Sequence, residues 1–295
     1  MPIPEAQLKE WSQRGPTDAA EGALAQVTRA MGGVDVKRYG RPDVSLTGPY
    51  ASEVNIDGDE PDVLVLFRDV FYPDVSGLNA HDRAIYDSER STGRFSIADA
   101  RAHVQSLLLR HFGDENVRLG ATAIRLDLPD GPGVNVYAAC GHKYFYTFPS
   151  RPASRFVEGI VYTDYQGREV VDYPAQHAAN GAAKAQQCSG FRPAVRVMRR
   201  LASHLADAGK LHPGTWSPYF VECMVYNVPN SSFYTTLEST VLSVLMHWSS
   251  GKARWDEWLQ QNQVVKLFGP KERQWDKAQA EAFVDACRSA FDSWQ

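Results

Sequence analysis

The stretch GPYASEVNIDGDEPDVLVLF, Gly48 to Phe67, begins in a tight turn, crosses Asp57, Asp59, Glu60 and Asp62, and ends in an apolar run. DVLVLF has the β-branched and large apolar character of a buried strand. Side chains on a strand alternate between faces, so Glu60 and Asp62 project to one side where the segment enters a sheet. Two carboxylates at that spacing suit a divalent cation, Mg²⁺ or Mn²⁺, that grips a nucleoside triphosphate and activates an attacking hydroxyl. A third ligand from a neighbouring strand would complete such a site, and the position that offers it is Asn135 in GVNVYAA, an amide rather than a carboxylate. Read instead as a solvated acidic turn before a strand, the same residues carry no chemistry.

Outward from this strand the chain divides into two kinds of pattern. Residues 4–31 space Leu8, Trp11, Leu24, Val27 and Met31 as a helix broken at RGPTD, where Pro16 restarts it. VDVKRYGRPDVSLTG predicts an extended segment leading to the turn at Gly48. IADARAHVQSLLLRHF, Ile97 to Phe112, is helical by period, with Gly113 as its stop. VRLGATAIRLDL and GVNVYAA, joined by PDGPG, predict a hairpin, and EGIVYTDYQGREVVDYP predicts a second one turning at Gln166-Gly167. Beyond Tyr173 the segments AQHAANGAAKAQQ, RPAVRVMRRLASHLADAG, SPYFVECMVYNV, TTLESTVLSVLMHWSS and DKAQAEAFVDACRSAFDSW all favour helix. The expectation is an α+β chain: a mixed-sheet lobe over 1–174 with an N-terminal helix, then a mainly helical lobe over 175–295. A ligand cleft is expected between them.

Composition narrows the partners. With 43% hydrophobic and 22% charged residues the chain reads as a soluble globular protein, and a formal charge of −4 leaves only local contacts with polyanions. Cys140, Cys188, Cys223 and Cys287 are scattered, without zinc-ligand spacing, and read as reduced thiols of a cytoplasmic protein. No membrane insertion and no secretion signal are expected.

The order of Gly turn, acidic pair on a strand, helix, hairpin with a central acidic position, held here by Asn135, and helical lobe resembles the DNA polymerase β-like nucleotidyltransferases. Within them it is most similar to the bacterial group related to cyclic GMP-AMP synthase and oligoadenylate synthetase. EGIVYTDYQGREVVDYPAQHAANGAAK, FRPAVRVMRRL, SPYFVECMVYNVP and NQVVKLF extend the likeness from about Val44 onward. The resemblance implies Mg²⁺-dependent, template-independent nucleotidyl transfer that makes an oligonucleotide signal in anti-phage defence. It implies a nucleoside triphosphate such as ATP, or an oligonucleotide, as ligand, and an effector or regulatory protein as partner. Glu60, Asp62 and Asn135 would be catalytic, with Glu60 and Asp62 on the metal. Gly48, Pro49, Lys184 and Arg196 would meet the nucleotide, Lys184 and the arginines Arg192, Arg196, Arg199 and Arg200 supplying positive charge.

Four positions depart from the family pattern. Gly48-Pro49 stands for Gly-Ser, so a hydroxyl and an amide hydrogen are missing. Val54 stands for a threonine, and Asn135 for an acid. The acidic pair matches Glu60-Pro61-Asp62 only if one loop residue is deleted; otherwise it is Asp62 with Leu64, and broken. Two functions therefore stand open: an enzyme, and a nucleotidyltransferase fold that has lost its chemistry and serves as a nucleotide or oligonucleotide sensor or regulatory partner. Tyr146, Tyr162 and Tyr173 read as packing before base stacking. His177 and His247 show no partner in sequence, Ser217 and Cys223 lie in no nucleophile elbow, and the C-terminal aromatics read as core.

Overall fold

The computed structural model describes residues 2–128, 131–150, 152–212, 214–271 and 273–294, together with the backbone but not the side chain of Ala253. In chain order it runs α1 (Glu5–Trp11), α2 (Asp18–Met31), α3 (Val36–Tyr39), β1 (Asp43–Thr47), α4 (Gly48–Ala51), β2 (Asp62–Asp74), α5 (Ala80–Glu89) and α6 (Ile97–Phe112). The strands β3 (Val117–Leu119), β4 (Ile124–Leu126), β5 (Val134–Thr147), β6 (Arg155–Thr163) and β7 (Glu169–Asp172) follow. The chain closes with α7 (Pro174–Gln187), α8 (Phe191–Asp207), α9 (Pro218–Tyr226), α10 (Leu237–Ser250) and α11 (Lys277–Asp292). An α+β chain with a mixed sheet and a helical C-terminal region is what the sequence predicts.

The chain forms two compact units, both discontinuous. One holds the chain up to Pro16, Gly48–Asp59 and the chain from Ala175 onward; the other holds Thr17–Thr47 and Glu60–Pro174. The expected 1–174 lobe thus cedes α1 and the turn segment at Gly48 to the helical unit. The reason is chemical: arginines of α8 bond to that segment.

Among the described residues of the sheet unit seven strands run β1-β2-β5-β4-β3, with β6 and β7 continuing from the far part of β5. β2 lies parallel to β5, and the other pairs are antiparallel. Val63 to Phe67 are buried without alternation, which is why DVLVLF reads as an unbroken apolar run. α2 and α6 pack on the sheet through Val27, Val104 and Leu108, all fully buried. Ser96 starts α6 with a capping box: its hydroxyl accepts from the Asp99 amide while Asp99 accepts from the Ser96 amide. The hairpin at Gln166-Gly167 forms as expected, Gly167 adopting φ 80°. Pro129 and Asp130 of the other turn lie outside the described residues; β4 and β5 on either side of it pair antiparallel. One expectation fails. VDVKRYG contains the helical turn α3, because the Asp35 carboxylate accepts from the Lys37 and Arg38 amides and Gly40, at φ 73°, ends the turn.

The helical unit is built around α8, which buries Ala194, Val197, Met198 and Leu201 against α9, α10 and α11. Trp248, Trp255, Phe220 and Phe283 are fully buried, each stabilising the unit by about 1.5–3 kcal/mol through the apolar area removed from water. The C-terminal aromatics therefore form core. All four cysteines are free thiols, three of them buried. Among the described residues no helix is long and apolar enough to cross a membrane.

Candidate functional site

Strand register brings one row of polar residues together across the sheet. Thr47 on β1 lies opposite Asp62 on β2, Asp62 opposite Asn135 on β5, and Asn135 opposite Arg125 on β4. Residues opposite one another on paired strands share a face. The row is therefore a single polar line where β2 and β5 begin. Asn135 Nδ2 donates to Asp62 Oδ1 at 3.0 Å, so the sequence pairing of these two residues is realised in space. Leu64, two residues along and on the same face as Asp62, is 7% exposed beside Tyr137.

Glu60 precedes β2 and takes a different partner. Arg125 grips its carboxylate with both terminal nitrogens, Nη2 donating to Oε1 at 2.6 Å and Nη1 to Oε2. Asp127 accepts from Arg125 Nε at 3.3 Å and also pairs with Arg118. These bonds hold the Arg125 guanidinium charged far above the ordinary arginine range. Gly133 makes room, since a Cβ there would overlap the guanidinium. Sequence reasoning missed Arg125. Its only signal is an arginine inside the apolar IRL of a strand, and nothing in the sequence says that this strand pairs with GVNVYAA in the register that aligns Arg125 with Asn135.

These donors do not fit a pair of Mg²⁺ ions. Hard divalent ions favour several charged oxygens in near-octahedral geometry. Here Asn135 is neutral, Leu64 has no oxygen, and Glu60 is neutralised by a guanidinium. Among the described residues no group of three or more His, Cys, Asp or Glu side chains could hold a metal ion.

The turn segment is held inside the helical unit. Gly48 takes φ 61° and starts α4, Pro49 brings no N–H, and its carbonyl accepts from the Val54 amide at 2.9 Å. Asp59 is not a solvated turn acid: Arg199 Nη2 donates to its Oδ1 at 2.7 Å and Arg199 Nη1 to its Oδ2 at 3.0 Å. Arg199 Nη1 also donates to the Val54 carbonyl at 2.6 Å, Arg196 Nη1 to the Glu53 carbonyl at 2.9 Å, and Arg192 pairs with the Glu53 carboxylate. Arg200 reaches the carbonyls of Glu10 and Trp11 at the end of α1. What reads in sequence as a basic helix face is a brace that holds the turn and α1 against α8. Burial, with Arg14, Arg192 and Arg200 nearby, lowers Arg196 to about 10, which leaves it cationic at neutral pH.

Lys184 donates to the Val228 carbonyl at 2.7 Å, with the rings of Tyr226, Phe233 and Phe191 within 5.2–5.7 Å of its ammonium. Burial lowers its pKa from 10.5 to about 8. The charged form is thus disfavoured in the folded chain; unfolding takes up a proton between about pH 8 and 10.5, and stability from this residue rises with pH across that window. Thermal melts of the wild type and Lys184→Met should show the difference moving in favour of the wild type from pH 8 towards pH 10.5, and a constant difference would contradict the burial.

His177, which shows no partner in sequence, has one: its Nε2 lies 2.9 Å from Glu222 Oε2, both side chains buried, and its ring stacks on Tyr219 at 4.8 Å. His247 stacks on Trp258 at 5.8 Å. Ser217 caps α9 by accepting from the Phe220 amide, and Cys223 is buried in the core. Tyr162 and Tyr173 are buried and Tyr146 is half exposed.

The fold and the row at the start of β2 and β5 can be set beside known proteins. Residues 179–292 match the cGAS/DncV-like nucleotidyltransferase C-terminal helical domain. The whole chain is 31% identical to 99% of the cyclic UMP-AMP synthase of Rhodothermus marinus, and 25% identical to all of the cyclic nucleotide synthase CdnE01 of Staphylococcus haemolyticus. A structure of the Rhodothermus CdnE c-UMP-AMP synthase with Apcpp and Upnpp superposes with a TM-score of 0.88, at 27% identity, over 99% of this chain and 98% of that one. CdnE from Elizabethkingia meningoseptica, at 22% identity and a TM-score of 0.80 over 99% of this chain and 100% of its own, shares the fold. The chain belongs to the cGAS/DncV-like nucleotidyltransferases, in the CdnE clade.

Proposed function

We propose that the chain is a CdnE-type cyclic dinucleotide synthase of anti-phage signalling, which takes nucleoside triphosphates at the Asp62 row and joins them by nucleotidyl transfer. The observation that carries this reading is the end-to-end similarity to the Rhodothermus synthase, together with Asp62 held opposite Asn135 at the head of β2 and β5. In transfer of this kind a ribose hydroxyl attacks the α-phosphorus and pyrophosphate leaves. Asp62 is the carboxylate of the row proposed to orient that hydroxyl. Gly48 and Pro49 belong to the helical unit, where the turn they open is held by the α8 arginines. Lys184 and Arg196 each spend donors inside the helical unit, on the Val228 carbonyl and on the Ser12 and Glu53 carbonyls.

One observation favours a second reading, nucleotide binding without turnover. With Glu60 paired to Arg125, Leu64 apolar and Asn135 neutral, the row lacks the negative charge that metal-assisted transfer uses. Incubation with labelled ATP, UTP, GTP and CTP, in Mg²⁺ or Mn²⁺, separates the two. The synthase reading expects a cyclic product from the wild type and none from Asp62→Ala. No product from the wild type, with a nucleotide-dependent rise in melting temperature that Asp62→Ala removes, would establish binding alone.

A further inference from the structure

The half of β2 beyond Phe67 carries a second set of chemical groups. Phe71 is nine residues from Asp62 along the strand, on the order of 30 Å at about 3.3 Å per residue. The register between β2 and β5 slips between Phe67 and Phe71, and such a bulge re-aims the side chains beside it. Phe71 is left 42% exposed. Lys143 on β5 places its ammonium 4.8 Å from the centre of the Phe71 ring and 4.3 Å from that of Phe156 on β6. Behind these rings Tyr86 of α5 packs with Phe145 and Phe148 as a separate small core, which fixes the aromatic wall.

The opposite wall is the loop Arg90-Ser91-Thr92-Gly93-Arg94 between α5 and α6. The two walls, both within the sheet unit, enclose a cavity of about 910 Å³. Small-molecule sites span roughly 300–1,000 Å³. Four cations line the cavity against three carboxylates. Arg94 is held by Asp69 and Arg83 by Asp87, whereas Arg90 comes no nearer to Asp87 than 4.0 Å. The recess thus pairs an exposed ring with a loosely partnered guanidinium beside two hydroxyl side chains. Polypeptide partners cover broad surfaces of roughly 800 Å² a side, so a recess of this kind suits a compact ligand.

We propose that this cavity binds a small organic anion bearing a planar aromatic ring, the ring lying against Phe71 and the anionic group meeting Arg90 and Arg94. The site is separate from the Asp62 row. A ring gains contact with the phenyl face and with the cation beside it, while a phosphate or carboxylate takes the guanidinium fork in place of water.

The test uses 1-naphthyl phosphate, titrated by its own fluorescence into the full chain, with inorganic phosphate and 1-naphthol as its two halves. The intact ester should bind more tightly than either half. Arg90→Gln combined with Arg94→Gln should weaken it by roughly tenfold or more, as loss of hydrogen bonds to a charged group does. Phe71→Ala should weaken it by about threefold to tenfold, and Asp62→Asn should leave it unchanged. No saturable binding, or binding that the cavity variants leave intact, overturns the proposal. Binding lost in Asp62→Asn would place the probe at the nucleotide row and overturn it as well, whatever the outcome of the synthase assay.

Discussion

Replacing Arg199 by methionine is expected to lower the unfolding free energy by about 3–5 kcal/mol, the usual cost of removing one partner of a buried ion pair. Arg199 is 1% exposed and makes three bonds to the turn segment, two to Asp59 and one to the Val54 carbonyl. Without the guanidinium, the Asp59 carboxylate and the Val54 carbonyl lose their partner where little water reaches them. Urea denaturation followed by tryptophan fluorescence measures the loss. The double variant Arg199→Met with Asp59→Leu should recover most of it, because an apolar pair of similar volume carries no unpaired charge. A loss below about 1 kcal/mol in the single variant would mean that the brace contributes no more than a surface pair.

The second large effect concerns the cation balance of the Asp62 row. Asn135→Asp combined with Arg125→Gln makes the row more negative by two charges and releases Glu60 from its guanidinium. For a divalent ion several ångströms away in a partly solvated site, an added favourable interaction of about 2–3 kcal/mol is a conservative figure, equal to roughly a hundredfold in affinity. Mn²⁺ titration followed by electron paramagnetic resonance should therefore show weak binding to the wild type and tight binding to the double variant. Each single variant should lie between them. Equal Mn²⁺ affinity in the wild type and the double variant would refute the assignment of Arg125 as the cation that neutralises Glu60.

Local signals were readable where a local cause exists. The broken first helix follows from Pro16, the helix from Ile97 from its period and Ser96 cap, and the second hairpin from Gln166-Gly167. The turn α3 was missed because a single capping carboxylate, Asp35, outweighs a short run without period. Asp62 and Asn135 were singled out from strand pattern and family order, and the structure brings them into contact. The pairings of Asp59 with Arg199 and of Glu60 with Arg125 are not legible in the sequence for one reason: the partners lie 65 or more residues apart.

Sequence alone determined the α+β class, the apolar strand from Asp62, the helices of the C-terminal region and the family to look for, since period, caps and turn residues act within a few positions of the chain. Tertiary structure decided that the turn at Gly48 belongs to the helical unit, that the α8 arginines serve as a brace, and that Glu60 meets a guanidinium. Those outcomes depend on strand register and on charges far apart in the chain. Burial strengthens the Arg199–Asp59 pairing in particular by removing the water that would otherwise compete for the same charges.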